Sequence, residues 1–527
     1  MGRYINPGFY GFREIVEDDY IDKTGMIEII NNSIGKKHKL FCISRPRRFG
    51  KTYAANMLCA YYDCSVDSHE LFDGFEISKT ANYEEHINKY NVIYLDMSEF
   101  ISSIERENRD YTKLTEDIST ALLNDLYSVY KDMPIDKSLT EALEIYSEYT
   151  KRNYIFIIDE WDSVIRETDT ITQQKYLSML RELFKSSRFT PKYIAAAYMT
   201  GILPIKKVKS QSAISDFNEY TAINPGKFAR YIGFDENDIK FICEKYRMDF
   251  DKMKWWYDGY TFGNVSNIYN PYSVMNAVEY EKFASYWRKS SAVDSLTEYI
   301  DMNYDGLQQD IIRLVKDEEI SVDTSDYQND FKNFVTKDDV LTLLIHLGYL
   351  TYNSDTGLAH IPNEEIRSEF RSMLRRAKNP KLIALVSDSN KILEDTLAEN
   401  AVSIGNAIDK LCGTNYAPQY YNNEQALRSI IKLAYLTAVD RYFRVEELPS
   451  GKGLADIVYI PQRYSEYPAM VIEMKWNKSA ESAIEQIKNN NYPAVLQNYG
   501  GDILLVGINY SDKEKKHNCI IERFIMN

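Results

Sequence analysis

The chain has 527 residues, too many for one ordinary core, so two or three domains are expected. Lys and Arg number 63 against 78 Asp and Glu, a net charge of −15, which speaks against non-specific coating of nucleic acid yet leaves room for a basic channel on one face. The six cysteines form no CxxC pair, the six histidines lack zinc-ligand spacing, and neither an apolar signal core nor a run near ~18 apolar residues is present, so the chain reads as a soluble cytoplasmic protein with no membrane partner.

Residues 39–44, KLFCIS, are a short apolar run, and YAANMLCAYYD after Thr52 has helical spacing, with Met57, Leu58 and Tyr61 on one side. NVIYLDMS (91–98), NYIFIIDE (153–160) and KYIAAAYMTG (192–201) are further strands, separated by amphipathic stretches such as 111–131 and 172–187. This alternation predicts a parallel sheet covered by helices. Beyond about 205 the segments turn helical and aromatic, as in WWYDGYTFG (255–263) and NPYSVMNAVEYEKFASYW (270–287), where part of the unusual stock of 43 tyrosines lies. Residues 336–370 read as helix, strand, polar turn, strand and helix, either a small winged-helix unit or a helical connector with a hairpin. The Pro and charges of RRAKNPKL (375–382) mark a boundary. After it come helices, then YFRVEEL (442–448), LADIVYIP (454–461), AMVIEMKW (469–476), a helix at 479–490 and DILLVGINY (502–510), a second α/β unit. The expected division is 1–205, 206–380 with a winged-helix-like segment at about 330–370, and 381–527.

Between the first strand and its helix stands SRPRRFGKT (44–52), which ends like a phosphate loop but carries Arg45 where such a loop normally has its first glycine. Backbone N–H groups between a strand and a helix surround phosphates, a lysine reaches the outer ones, and the following hydroxyl holds magnesium; Gly50, Lys51 and Thr52 fill those positions. A GK followed by Ser or Thr arises by chance at ~0.3 per chain of this length, so the second half must decide. That half is YIFIIDE, an apolar strand ending in Asp159, suited to Mg²⁺, and Glu160, suited to polarising the attacking water; the competing reading is two helix-capping acids after a core strand. Asp162 reads as a local cap or a group behind the site. Arg47 and Arg48 either neutralise phosphate charge, with either one able to act in cis as a finger, or else fix the loop through salt bridges or simply face solvent. Thr200 follows a strand at a sensor-like position or is an ordinary strand-end threonine.

A second constellation lies near the C-terminus. Glu473 and Lys475 sit two apart on one strand, hence on one face, and Asp456 opens the strand before it. If the strands are neighbours, Asp456 and Glu473 share a divalent metal and Lys475 orients the nucleophile or offsets phosphate charge; otherwise the pair is an exposed cross-strand ion pair.

YIDKTGMI (20–27), SRPRRFGKT, FIIDEWD (156–162), MTGILPI (199–205), WYDGYTFG (256–263), YNPYSVMNAV (269–278), YW (286–287), LGYLTY (347–352) and IPNEEIRSEF (361–370) together resemble the bacterial AAA-ATPase-like family commonly joined to a PD-(D/E)XK nuclease domain. The resemblance implies an α/β P-loop NTPase of AAA or STAND-like type, a helical and winged-helix-like middle, and a C-terminal restriction-endonuclease-like α/β domain. RPRRFGKT is characteristic of that family, so Arg45 fits its pattern. Asp22 and Lys23 are expected near the base or its pocket. YNNEQALRSIIKLAY (421–435) supplies Glu424 as a further metal-shell acid, and AIEQIKNNNY (483–492) supplies Gln486, which would contact the catalytic lysine, water or nucleic-acid backbone, together with Tyr492. One departure matters: the family often has arginine before the aspartate, as in GxGRxD, while this chain has Gly453-Leu454-Ala455-Asp456. The implied ligands are ATP with Mg²⁺, and Mg²⁺ or Mn²⁺ at the nuclease-like site; the implied partners are DNA or RNA and further copies of the chain on nucleotide binding. An ATP-controlled nuclease is the leading expectation, and a nucleotide-dependent switch whose C-terminal domain binds without cutting is the alternative.

Overall fold

The structure, a computed structural model, describes residues 2–525 apart from 133, 135, 206–213, 288–305, 326, 328–333, 335, 377–379, 416–420, 451–452, 462–466, 491, 493–495 and 497–500. The middle of the expected 375–382 connection therefore lies outside the described residues. The chain divides into two compact units, Met1–Arg288 with Ser321–Ile366, and Lys289–Ile320 with Arg367–Asn527. The first unit thus takes in both the expected N-terminal domain and most of the aromatic middle. Among the described residues no helix is long and apolar enough to cross a membrane.

In the first unit, β1 (Leu40–Ser44), β2 (Asn91–Asp96), β3 (Tyr154–Asp159), β4 (Ile194–Gly201) and β5 (Asn218–Tyr220) form one sheet in the order β2-β3-β4-β1-β5. Every neighbouring pair is parallel. Strands β1, β3 and β4 are buried along their whole length, as continuous apolar runs in a sheet covered on both faces must be. The short β5, which the sequence pattern did not reveal, closes the edge beside β1. Strand β4 separates the phosphate-loop strand from the acidic strand, and the register Ile43 to Thr200 and Ile158 to Met199 brings the ends of all three to one sheet edge. Helix α1 (Lys51–Tyr62) starts there, and α2 (Ser163–Glu167) follows β3. The hydrophobic core joins strand residues such as Phe156 and Ile158 to Leu122, Tyr176 and Leu180 on covering helices. Farther on, the helix Lys337–Leu347, the antiparallel strands Thr351–Asn353 and Leu358–His360, and the helix Glu364–Arg376, of which Arg367 onward belongs to the second unit, come in the expected order of helix, strand, turn, strand and helix, which both readings of this segment share.

In the second unit, β6 (Tyr442–Ser450), β7 (Gly453–Pro461), β8 (Ala469–Trp476), β9 (Ile503–Ser511) and β10 (Lys516–Phe524) lie side by side in sequence order. All pairs are antiparallel except β8 and β9, which run parallel. A parallel pair needs a crossover, and α5 (Ala480–Asn489) supplies it. Two further helices matter to the site, α3 (Leu307–Val315) and α4 (Glu424–Ala434). Strand β7 begins at Gly453, three residues before Asp456, so the aspartate sits within the strand rather than opening it.

Gly507 on β9 lies opposite Glu473 in the register. A Cβ there would stand 2.5 Å from the Ala480 carbonyl oxygen and 3.0 Å from Ile484 Cγ1, so the crossover helix can lie against the sheet only because this residue has no side chain. Gly507→Ala is expected to destabilise the second unit by about 1–3 kcal/mol, the usual cost of overpacking, measured by denaturant unfolding. An unchanged midpoint would show that the helix shifts freely.

Candidate functional site

Gly50 precedes α1 with φ +73°, a left-handed conformation that glycine adopts without strain, and this turns the chain from loop to helix. Lys51 is buried, its Nζ donating to the carbonyls of Arg45 (3.2 Å) and Pro46 (2.9 Å). Burial lowers its pKa, against the opposing charges of Glu160, Asp159 and Asp162.

Arg45 is fully buried. Its backbone N–H donates to Gly201 O (3.0 Å), its Nη1 to Ser44 O (3.1 Å) and Tyr220 O (3.3 Å), and its guanidinium lies 5.2 Å from the Phe262 ring centroid. Burial brings its pKa down to about 10, so it stays charged at neutral pH. Phe49, also buried, packs edge-on against Tyr260 (5.0 Å) and Phe262 (5.7 Å). Arg48 donates to Tyr286 O (2.5 Å) and lies 4.3 Å from the Tyr272 ring, and Asn270 Nδ2 donates to Arg47 O (3.4 Å). Asn270 is also the cap of the helix Pro271–Glu279. The aromatic middle of the sequence is therefore what holds the loop. Of the roles expected for Arg48, fixing the loop is the one these contacts perform, through a carbonyl and a ring rather than a salt bridge; Arg47 is exposed.

Asp159, at the end of β3, is buried; its Oδ1 accepts the Glu160 N–H (3.0 Å), while Oδ2 has no hydrogen-bond partner among the described residues. Burial pushes its pKa up to about 7, with the Thr52 hydroxyl and the Lys51 charge acting the other way. Lys51, Thr52 and Asp159 are thus brought together. Glu160 has φ +50° and is paired with Arg166 at 3.0 Å. Arg166, one helical turn beyond Asp162, also binds that carboxylate at 3.1 Å; the sequence reading missed it. Asp162 corrects the expectation of a local cap: it makes no cap bond to its own helix, and its carboxylate accepts the N–H groups of Ile202 (3.2 Å) and Leu203 (3.0 Å) after β4. Thr200 Oγ1 is buried without a hydrogen-bond partner among the described residues, on the strand between loop and acid. Asp22 accepts the Thr24 N–H (2.8 Å) and the Glu76 N–H (2.7 Å), and Lys23 pairs with Asp238 (2.5 Å).

In the second unit, Asp456 Oδ2 accepts the Met474 N–H at 2.8 Å, which sets it beside Glu473 on the neighbouring strand. Glu473 is buried; its Oε1 accepts Lys475 Nζ (2.9 Å) and Gln486 Nε2, and its Oε2 has no hydrogen-bond partner among the described residues. Burial first and the Asp456 charge second push the Glu473 carboxyl up to about 7, with Lys475 opposing; burial also raises Asp456. Gln486, on α5, reaches the carboxylate rather than the lysine, and lies 3.3 Å from Tyr492 Oη, whose hydroxyl donates to Leu454 O (2.8 Å). Tyr492 thereby fixes the strand just before Asp456. Arg428 on α4 binds Asp456 Oδ1 at 2.9 Å, so the aspartate receives a guanidinium from a helix, although the residues before it are Leu454 and Ala455. Glu424, exposed at the start of α4, is near enough for its charge to raise Asp456. The described residues nevertheless contain no group of three or more His, Cys, Asp or Glu side chains able to hold a metal, so Glu424 is not assembled with Asp456 and Glu473 as the expected three-acid set. Its place at the helix N-terminus turns it to solvent.

Residues 7–210 match the family model described as predicted AAA-ATPase, and residues 422–519 match that of the PD-(D/E)XK nuclease superfamily. The chain carries an AAA-ATPase-like domain in its N-terminal part and a PD-(D/E)XK nuclease superfamily domain in its C-terminal part. Among solved structures it is similar to the Walker-type ATPase PABY2304 of Pyrococcus abyssi, with 13% identity over 66% of this chain and 94% of that one and a TM-score of 0.33. It is also similar to the ORC2 protein of Aeropyrum pernix in its ADPNP–ADP complexes, with 11% identity over 69% and 98% and a TM-score of 0.32. No curated protein matches the chain.

The raised Asp159 carboxyl makes stability depend on pH. A carboxyl with an ordinary value of 3.8 and about 7 in the fold favours the fold below pH 4, and that contribution is lost as pH rises through 7, a swing of up to about 4 kcal/mol. Asp159→Asn is expected to stabilise the nucleotide-free protein by up to about 4 kcal/mol at pH 8 and by only about 1–2 kcal/mol at pH 5, read from denaturant midpoints. Equal effects at both pH values would contradict the buried, neutral carboxyl.

Proposed function

We propose that the chain hydrolyses ATP in its N-terminal domain and thereby governs a divalent-cation-dependent phosphodiesterase in its C-terminal domain, acting on nucleic acid. One observation carries the reading and recurs in both domains. A carboxylate buried near the C-terminal end of a strand, Asp159 in one and Glu473 in the other, keeps one oxygen without a partner among the described residues and lies in the field of a lysine. Such an oxygen is costly unless something meets it, and a hard cation is what carboxylate and hydroxyl oxygens hold best. Thr52 and Asp159 would hold Mg²⁺, and Asp456 and Glu473 would hold Mg²⁺ or Mn²⁺. When bound, the ion offsets negative charge on phosphate oxygens and acidifies water.

The chain's own residues supply the rest. At the first site the N–H groups at the start of α1 bind phosphate, and Lys51 exchanges the carbonyls of Arg45 and Pro46 for the outer phosphates of ATP. Glu160, released from Arg166, orients the attacking water, and the freed Arg166 offsets charge nearby. At the second site Lys475 moves from Glu473 toward the phosphodiester, and Gln486 keeps Glu473 oriented. Binding several phosphates suits an acidic protein only where cations are local, as they are around both sites.

The test uses the purified full chain with DNA and RNA substrates, Mg²⁺ or Mn²⁺, with and without ATP. Lys51→Ala should weaken ATP binding at least about tenfold and nearly abolish hydrolysis. Glu473→Gln and Lys475→Ala should each lower cleavage by about 10²-fold or more while leaving ATP turnover in place. Unchanged nucleotide binding in Lys51→Ala sinks the first half of the reading, and a wild type that cuts no substrate under any condition sinks the second.

A further inference from the structure

Helix α4 buries Leu427, Ile430 and Ile431 and turns Gln425, Arg428, Ser429 and Lys432 the other way. That second face is one wall of a cavity of about 450 Å³, whose opposite wall is formed by Arg313 of α3 and the residues that follow that helix. Four cations line it, Arg313, Lys316, Arg428 and Lys432. Of its three carboxylates, Asp317 is bound by Arg367 and Arg444 (2.6 Å) and by Lys432 (3.2 Å), itself one of the four cations and also paired with Glu446 at 2.8 Å. Glu318 meets Arg313 at 3.2 Å, and Glu319 is the third. Arg428 belongs to two places at once, with Nη2 on Asp456 at 2.9 Å and its side chain in the cavity lining.

We propose that this cavity is a binding site for one phosphate-bearing nucleotide unit, placed beside the phosphodiester held at Asp456 and Glu473, with Arg428 shared between the two. The proposal deepens the nuclease reading and rests on it for the neighbouring site. The volume falls in the lower half of the ~300–1,000 Å³ range of small-ligand sites, which suits one nucleotide rather than a duplex groove. Guanidinium groups present paired donors to phosphate, and amide and hydroxyl groups such as those of Gln425 and Ser429 suit a sugar or base edge. The same chemistry is offered by the next nucleotide of a bound strand and by a free mononucleotide, and the experiment separates them.

Fluorescence anisotropy of the full chain in EDTA, where no cleavage occurs, would follow a labelled single-stranded 12-mer, with adenosine monophosphate as competitor. Arg313→Ala is expected to weaken 12-mer binding five- to tenfold and to reduce the slope of log affinity against log salt by about one phosphate contact. Gln425→Trp fills the cavity without changing charge and should weaken binding with the slope unchanged. Lys410→Ala, an exposed cation paired with Asp388 outside the cavity, is the control and should change nothing. Loss of monophosphate binding alone in the two cavity variants would assign the site to a free nucleotide. Wild-type affinity for both probes in both variants, with melting temperatures unchanged, overturns the proposal. A wild type that cleaves while both variants bind normally rejects the cavity and keeps the nuclease; cavity-dependent binding in a wild type that never cleaves does the reverse.

Discussion

The first unit is organised around a buried guanidinium. A glycine-rich loop achieves its path by having no side chains to obstruct it, whereas SRPRRFGKT achieves a path by being clasped. Arg45 fills the space beneath the loop and returns hydrogen bonds to the carbonyls of Ser44 and Tyr220, one on each of the paired strands β1 and β5. Phe49 packs edge-on against Tyr260 and Phe262, and Gly348 lets Pro46 approach so closely that a Cβ there would stand 2.7 Å from the proline's own Cβ. Burying an arginine is expensive, and here only Nη1 is hydrogen-bonded while Nε and Nη2 have no hydrogen-bond partner among the described residues, so the cover over its plane matters. Phe262 provides the cover, and Tyr260, whose hydroxyl donates to Gly348 O at 2.9 Å, ties the cover to the segment that supports Pro46. Tyr257, whose hydroxyl donates to Ala284 O at 2.9 Å, works in the same way: a ring excludes water and a hydroxyl meets a carbonyl that water would otherwise satisfy.

The second unit solves a related problem by different means. Its two acids come from adjacent antiparallel strands, so pairing alone sets them side by side, and backbone and side-chain donors then aim them. The Met474 N–H holds Asp456, and Gln486 holds Glu473 from the crossover helix. Gly507 lets that helix lie low enough to do so. Arg428 completes the arrangement from α4. A guanidinium delivered by a helix does for Asp456 what a neighbouring residue on the same strand would do, and it leaves Leu454 free to be exposed while its carbonyl accepts from Tyr492.

Local signals carried much of this into the sequence. Continuous apolar runs marked β1 to β4, and Gly50-Lys51-Thr52 between a run and an amphipathic stretch marked the loop. Period-two spacing put Glu473 and Lys475 on one face, where the structure pairs them at 2.9 Å. What was not legible depends on partners far away in the chain. Arg166 and Arg428 are ordinary helix arginines until the fold supplies Glu160 and Asp456. The three residues of β5 are too few to show a period. Glu424 has the right residue type but the wrong direction, because a helix start faces solvent here. The stretch 289–320 belongs to the second unit although both its flanks belong to the first, and no composition shift announces that. Asp317 explains part of it, since its partners Arg367, Lys432 and Arg444 all lie in the second unit.

The net charge of −15 and a role in phosphate chemistry are reconciled by where the cations stand rather than by how many there are. Around the loop, Arg45, Arg48 and Lys51 lie within seven residues of sequence and their side-chain hydrogen bonds and ring contacts go to carbonyl oxygens and rings rather than to carboxylates, although Glu160, Asp159 and Asp162 act on Lys51 through their charge. In the second unit the pattern is the opposite. Arg428, Lys432, Arg444 and Lys475 are each paired with an acid, so their positions are fixed before any ligand arrives. A held cation gives up less side-chain freedom when a phosphate replaces its carboxylate, and the displaced acid, Asp456 or Glu473, is then left with oxygens that a divalent cation can take. On the proposed reading, phosphate and a divalent cation would in this way be bound more favourably together than either alone, the behaviour a phosphodiesterase would need from a site assembled in an acidic protein.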